Sequence, residues 1–164
     1  MKEVTRIVLV LFLLSLGTQN AGTEENFDTS EQVLDHFFEL FSDSAFGYEQ
    51  TESAGWIIQW NEQYILSKWP KMDEKYKQVW NQLIPEGVVA IAHTHPTSDI
   101  QKPSDKDVAL AKAIKLPVYT ICKAGIFKAS PDGAITRIQP RDWFKPLKEK
   151  QKLAESNRSE KEVR

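Results

Sequence analysis

Apolar and polar positions along this chain fall into blocks, and each block predicts one element of secondary structure. From residue 33 to residue 41 the apolar side chains recur at helical spacing, which predicts an amphipathic helix opened by a capping box at 29–32. Two more helices are predicted over 73–83 and 104–116. Short apolar runs bounded by turn residues predict six strands: 55–60, 63–67, 88–92, 118–123, 126–129 and 134–138.

The order of these elements predicts the fold class. The chain is predicted to form, in this order, a helix, a hairpin that turns at Asn61-Glu62, a helix, a strand, a helix and three strands. This order implies an α/β protein with a mixed sheet and helices against it. The run 88–92 is apolar throughout, as in a strand that is buried on both faces. With 164 residues the chain is long enough for a single domain, whereas a TIM barrel needs about 200 residues or more and is excluded.

The two ends of the chain differ from this central part. Residues 1–21 begin with Lys2 and Arg6 and continue into a short apolar run, which is typical of a secretory signal peptide. We therefore expect cleavage after residue 21, a secreted or periplasmic protein and no stable membrane insertion, with an uncleaved N-terminal anchor as the alternative. Residues 145–164 are polar and highly charged, which predicts a frayed helix or a disordered extension. The folded domain is predicted over 27–144.

Charge and cysteine content exclude several classes of protein. The whole chain carries a net charge of −2, but 145–164 holds seven basic and four acidic residues, so that 22–144 carries −6. This balance gives no reason to expect nucleic-acid binding. The single cysteine, Cys122, excludes an internal disulfide and a Cys-rich zinc site, and its apolar surroundings predict a small core residue. Core positions are also expected for four tryptophans: Trp56, Trp60, Trp69 and Trp80.

A pair of histidines follows the continuous apolar strand, in the sequence His93-Thr94-His95-Pro96. Residues two apart on a strand point to the same face, so both imidazoles project together and can ligate one metal ion. A surface pair or a hydrogen-bonded pair is the alternative. Asp107, in the first turn of the helix that begins at Ser104, offers an oxygen as a third ligand. Such a set describes a catalytic zinc site, although helix capping alone also explains Ser104 and Asp107.

A zinc hydrolase also needs a general acid/base near its water. Glu52 precedes the first predicted strand, where its carboxylate could take the proton of the water and deliver it to a leaving amine. Glu49 is the competing candidate, and a solvent-exposed turn glutamate is the alternative for Glu52.

In combination these residues resemble the motif of the JAMM metalloproteases, also called MPN or JAB domains. The motif comprises Glu52-x-x-Gly55, an apolar strand that enters His93-Thr94-His95-Pro96, and Pro103-Ser104-x-x-Asp107. The resemblance covers roughly residues 52–133 and is nearer to the compact prokaryotic JAB-like domains than to the deubiquitinating branch. The stretch from His95 to Ser104 is one residue longer than is usual in the family.

The resemblance implies a fold, a cofactor and an activity. The fold would be a single cytidine-deaminase-like domain, with a mixed β-sheet sandwiched by helices. Zn²⁺ would be bound by His93, His95 and Asp107, with Glu52 as general acid/base. Ser104 would donate a hydrogen bond to the tetrahedral oxyanion. The protein would be an exported zinc-dependent peptidase or isopeptidase, acting on an isopeptide-linked protein or on a cell-wall peptide.

Three other functions stay open on the sequence. A catalytically silent JAB-like binding module of a secreted system would keep the fold without hydrolysis. A secreted toxin or effector domain would use the same chemistry in another cell. A metal phosphoesterase built on His-x-His usually needs further His or Asp ligands, and His36 is the one other histidine of the chain. Neither the substrate nor the oligomeric state leaves a pattern in the sequence.

Overall fold

The computed structural model describes residues 26–70 and 83–162, which form a six-stranded mixed sheet with helices on both faces. The helices are α1 (Glu31–Asp43), α2 (Asp105–Ile114) and α3 (Lys145–Glu162). The strands are β1 (Ala54–Trp60), β2 (Gln63–Lys68), β3 (Val88–Thr94), β4 (Val118–Cys122), β5 (Gly125–Ala129) and β6 (Ile135–Gln139). Two short 3₁₀ turns flank α1, at Phe27–Thr29 and Ala45–Gly47.

The strand order determines where the ends of β3 and α2 meet. The strands lie in the order β2-β1-β3-β4-β5-β6, and every neighbouring pair is antiparallel except β3 and β4. Parallel neighbours require a crossover connection, which α2 supplies here. The C-terminal end of β3 and the N-terminal end of α2 therefore lie at the same edge of the sheet. Open α/β sheets commonly bind ligands at this edge.

Two cores, one on each face of the sheet, determine which way each side chain of β3 points. Ala90 and Ala92 lie in the core that α1 covers. Ile91 lies in the opposite core, which α2 covers. Because side chains alternate along a strand, His93 belongs to the α2 face and Thr94 to the α1 face. Burial of apolar surface on both faces stabilises this arrangement by about 25 cal/mol per Å².

The residues just before α3 belong to the core, whereas most of α3 itself is exposed. Trp143 and Phe144, just before the helix, pack against Phe41 of α1 with ring centroids 5.9 and 5.1 Å away. Leu147 packs against the same core, but the side chains of 151–158 are all exposed. Of the two expectations for the charged tail, a helix is therefore the one observed.

The mixed α/β class is confirmed, and each predicted strand agrees with the structure within two residues at either end. The helix predicted over 104–116 ends earlier, at Ile114, because Lys115 adopts a left-handed conformation with φ of 60° that breaks the helix. The helix predicted over 73–83 lies outside the described residues, except for Leu83, which is not helical. The predicted signal peptide, 1–21, lies outside them entirely.

The capping box predicted for α1 is wrong. Ser30 occupies the N-cap position, but its side chain makes no capping hydrogen bond. The flanking side chains have other partners, since the Thr29 hydroxyl donates to the Asn26 carbonyl and the Gln32 side-chain oxygen accepts from the backbone N–H of Tyr64. Tertiary contact with β2 thus takes precedence over the local motif.

The prediction that Trp60 belongs to the core is also wrong. Trp56 is 2% exposed and packs on Trp69 with ring centroids 5.1 Å apart, whereas Trp60 is 66% exposed. Trp60 is the last residue of β1, beside the hairpin turn, so the sheet ends before another element can cover it. Trp80 lies outside the described residues. Within the described ranges, no helix has the length and apolar character needed to cross a membrane.

Candidate metal centre

The sheet and α2 together bring three ligand-type side chains to one place. His93 Nε2 lies 3.0 Å from His95 Nε2 and 3.2 Å from Asp107 Oδ1, and His95 Nε2 lies 3.7 Å from Asp107 Oδ2. In a tetrahedral site with bonds of about 2.0–2.2 Å, ligand atoms lie roughly 3.3–3.6 Å apart. The two separations from His93 Nε2 are slightly shorter than this value, and the 3.0 Å between the two Nε2 atoms is also the length of a hydrogen bond, so the hydrogen-bonded pair is observed. The two distances to Asp107 run to different oxygens of its carboxylate. All three residues are at most 9% exposed, and one ligand atom from each lies within 4.8 Å of the others. His93, His95 and Asp107 can therefore bind a metal ion.

A backbone carbonyl orients the second histidine. His95 Nδ1–H donates to the carbonyl oxygen of Ile100 over 2.7 Å, which leaves the lone pair of Nε2 facing His93 and Asp107. A hydrogen bond from the non-ligating nitrogen is the usual way in which proteins orient a metal-binding imidazole. The loop that carries this carbonyl is held by Gln101, whose amide nitrogen donates to the Pro96 carbonyl over 2.6 Å.

The two oxygens of Asp107 face different groups. Oδ2 accepts from the backbone N–H of Ser104 over 2.6 Å and from the Ser104 hydroxyl over 2.9 Å. The Ser104 hydroxyl in turn accepts from the Asp107 backbone N–H over 3.3 Å, which completes a capping box at the start of α2. Oδ1 faces His93. The capping alternative is thus confirmed for both Ser104 and Asp107, and Oδ1 of Asp107 still faces His93 as a possible ligand atom.

The charges within this cluster influence one another. Burial disfavours the imidazolium form of His93, but its hydrogen bond with Asp107 and the negative charge of Asp107 raise the pKa of His93 above its usual value. Burial and the nearby His93 lower the pKa of His95. Burial favours the acid form of Asp107, yet the contacts with His93 and Ser104 keep its pKa well below the usual range. The site therefore combines one anionic oxygen with two imidazoles, a donor set suited to divalent zinc, copper, iron or nickel.

Glu52 lies on the wall of the same cavity as the three ligand-type residues. The cavity has a volume of about 730 Å³, and Glu52, His93, His95, Ser104 and Asp107 all line it. Glu52 is buried, and that burial raises the pKa of its carboxyl group, with the charges of Asp107 and Asp99 adding to the rise and His93 opposing it. A raised pKa is the direction of shift that a carboxyl group needs to act as a general acid as well as a base.

The structure distinguishes Glu52 from its competitor. Glu49 is exposed, does not line the cavity and accepts a hydrogen bond from the Thr51 hydroxyl. Gly55 at the end of the Glu52-x-x-Gly55 pattern has a structural reason, because a Cβ there would lie 2.9 Å from the Ser67 carbonyl oxygen of β2. His36 lies on α1, and its Nε2 is 2.8 Å from the Tyr64 carbonyl oxygen.

Sequence reasoning missed the groups that support the site. The Ile100 carbonyl accepts from His95, the Gln101 amide holds the loop through the Pro96 carbonyl, and Asp99 lines the cavity. Trp69 and Leu110 add apolar wall to the cavity. The loop 96–103 is rich in Pro, Asp and Ser, but spacing does not indicate which carbonyl turns back toward the histidine.

Neither the models of known protein families nor the curated protein sequences show a match to this chain.

Proposed function

We propose that this protein is a JAMM-type zinc-dependent peptidase or isopeptidase, which hydrolyses an amide bond with an activated water. The observation that carries the proposal is the convergence of His93, His95 and Asp107 at ligand distances in the cavity that Glu52 also lines. The order of the motifs along the chain supports the same family. The six-stranded mixed sheet with helices on both faces is compatible with the cytidine-deaminase-like fold that this family would have.

The donor set supports zinc among the metals that the site could hold. Two neutral imidazoles and one carboxylate leave a tetrahedral ion one open position, which is the composition of catalytic rather than structural zinc sites. When bound, zinc supplies Lewis acidity toward a carbonyl group and lowers the pKa of a coordinated water to about 7. His95 is already oriented for this role by the Ile100 carbonyl.

Glu52 transfers the proton in the proposed reaction. Its carboxylate takes one proton from the attacking water and delivers it to the nitrogen of the scissile amide, so that a carboxylic acid and an amine are released. Burial favours this exchange, because it raises the pKa of Glu52 toward the working pH. The proposed reaction needs no second general acid or base besides Glu52.

Ser104 is proposed to stabilise the oxyanion that forms on the scissile carbonyl. Its hydroxyl lines the cavity and stands at the N-terminus of α2, where the helix dipole favours negative charge. In the structure the hydroxyl proton is donated to Asp107 Oδ2. Donation to an oxyanion therefore requires a rotation of the hydroxyl, while the Ser104 backbone N–H keeps holding Asp107.

The proposed setting is outside the cytoplasm, since the pattern of residues 1–21 is that of an export signal. The substrate would be a protein or a peptide, either isopeptide-linked or from the cell wall. A secreted toxin or effector would be a special case of the same enzyme.

The test combines zinc content with cleavage of peptide and isopeptide libraries. His95→Ala is expected to lose both zinc and cleavage. Glu52→Gln is expected to keep zinc, because Glu52 is not among the ligands, and to lose about 10²–10⁴-fold in kcat. Glu49→Gln, an exposed glutamate three residues away, is the matched control and should keep both properties.

Two results would overturn the proposal. Full zinc content in His95→Ala would refute the ligand assignment, and undiminished cleavage by Glu52→Gln would refute the acid/base assignment. Stoichiometric zinc in the wild type without cleavage of any library member would favour the catalytically silent binding module instead.

A further inference from the structure

Thr94, the residue between the two histidines, makes two hydrogen bonds to Ser53. The Thr94 backbone N–H donates to the Ser53 carbonyl over 2.9 Å, and the Ser53 backbone N–H donates to the Thr94 hydroxyl oxygen over 2.8 Å. Thr94 is fully buried and Ser53 is 6% exposed, so water does not compete for either bond. Both polar groups of the Ser53 backbone are thus held by a single residue.

The second of these bonds replaces a backbone contact that the sheet no longer supplies. The ladder between β1 and β3 ends at the pair Ala54 and His93, so Ser53 already lies beyond the strand. Its N–H is satisfied by a side-chain oxygen instead of a backbone carbonyl. A buried N–H without such a partner is strongly unfavourable, and a residue without an oxygen on its side chain could not supply one.

The Ser53 N–H belongs to the peptide group that joins Glu52 to Ser53. A hydrogen bond to that N–H restrains the plane of this peptide. Because ψ of Glu52 joins this plane to the Glu52 Cα, the restraint limits the directions in which the Glu52 side chain can leave the backbone. The acceptor is on β3, directly between the residues that carry the two imidazoles. One side chain therefore connects the backbone of Glu52 to the strand that presents His93 and His95.

We propose that Thr94 is a positioning residue that sets the Glu52 carboxylate relative to the His93 and His95 imidazoles. The inference rests on the proposed function, since it assigns to Thr94 the placement of the proposed acid/base. It also explains why a polar residue occupies a fully buried position on the α1 face, where the neighbouring even-numbered residues Ala90 and Ala92 are apolar.

The test compares three variants of the full-length protein. Thr94→Val keeps the shape of the side chain and removes the oxygen, and Thr94→Ser keeps the oxygen. Thr120→Val is the matched control, because Thr120 is equally buried, pairs with His93 from β4, and has a hydroxyl without a hydrogen-bond partner in the described part of the chain. Zinc content, kcat, KM and the exchange rate of the Ser53 amide proton are measured for each variant.

Thr94→Val is expected to keep its zinc and its KM within about 3-fold and to lose about 100-fold in kcat, the effect of misplacing a reacting group by about 1 Å. Exchange of the Ser53 amide proton should accelerate in the same variant. Thr94→Ser should recover kcat to within about 10-fold of the wild type, because the hydroxyl acceptor returns. Thr120→Val should match the wild type in all four measurements.

Wild-type kcat in Thr94→Val would overturn the proposal. So would a loss of zinc in Thr94→Val, or an equal loss of kcat in Thr94→Ser, because either result would show that Thr94 acts through packing of β3 alone. If the wild type cleaves no substrate, the proposed function fails by itself. Crystal structures of the wild type and Thr94→Val then decide the positioning role, since an unmoved Glu52 carboxylate in Thr94→Val would refute it.

Discussion

Replacing Asp107 with Asn separates the helix-capping role that this carboxylate has in the structure from its proposed role as a metal ligand. An Asn side chain keeps an oxygen that can accept from the Ser104 backbone N–H, so the start of α2 stays capped. The negative charge that faces His93 is lost. Ser104→Ala is the complementary variant, because it removes the capping hydroxyl and leaves Asp107 held by the Ser104 backbone N–H.

The expected magnitudes differ between zinc-free and zinc-loaded protein. Without zinc, loss of the N-cap hydroxyl in Ser104→Ala should cost about 1 kcal/mol. Zinc at about 100 times its Kd stabilises the wild type by about 2.7 kcal/mol, or roughly 10 °C in Tm for a domain of this size. Exchange of an anionic ligand for a neutral oxygen should weaken binding at least as much as loss of an outer partner, about 100-fold. At the same zinc concentration Asp107→Asn would then gain only about 0.4 kcal/mol, or about 2 °C.

The assay is thermal unfolding followed by circular dichroism, on metal-free protein and on the same protein with added zinc. Asp107→Asn should lose most of the zinc-induced rise in Tm, while Ser104→Ala starts from a lower Tm and keeps at least half of that rise. A full zinc-induced rise in Asp107→Asn would show that Asp107 is a helix cap and not a ligand. Complete loss of the rise in Ser104→Ala would show that the hydroxyl, and not the backbone N–H, orients the carboxylate.

Three further predictions concern the rest of the fold. Burial raises the pKa of the Cys122 thiol. Iodoacetamide at pH 8 should therefore leave Cys122 unmodified in the native protein and alkylate it in denaturant. Equal labelling in both conditions, measured by mass spectrometry, would contradict the burial. Asp28 accepts from the Tyr119 hydroxyl over 2.5 Å and pairs with Lys128, so Asp28→Asn should lower the free energy of unfolding in urea by about 2 kcal/mol. Asp35→Asn, at an exposed position of α1, should change it by less than about 0.5 kcal/mol, and equal effects would refute the anchoring role of Asp28. In the same assay, Trp56→Ala should lower the free energy of unfolding by about 3–5 kcal/mol, because Trp56 is buried. Trp60→Ala should lower it by less than about 1 kcal/mol. The reverse order would show that Trp60 is covered in solution.

Local geometry explains how much of the fold could be predicted from the sequence. Strand positions depend on apolar runs and turn residues that are adjacent in the chain, and these were predicted within two residues. The predictions of a capping box in α1 and of a buried Trp60 were wrong, because both depend on parts of the chain that are distant in sequence. Gln32 bonds to Tyr64 of β2, and the exposure of Trp60 depends on where the sheet ends, so neither outcome is determined by neighbouring residues.

The sequence by itself determined the set of residues that could form a metal site. Two histidines that are two apart on a strand must face the same way, and an acid three residues after an N-cap must lie in the first turn of its helix. Both statements follow from the periods of strand and helix. Neither one indicates whether the C-terminal end of the strand and the N-terminal end of the helix lie at the same place.

Only the tertiary structure decided that they do. The parallel pairing of β3 with β4 and the crossover through α2 bring Asp107 within 3.2 Å of His93, although the two residues are on different elements. The same packing buries Glu52, turns the Ile100 carbonyl toward His95 and joins Thr94 to Ser53. These contacts connect separate elements or fold a loop back on its strand, and so they depend on how the whole chain packs and not on any local period.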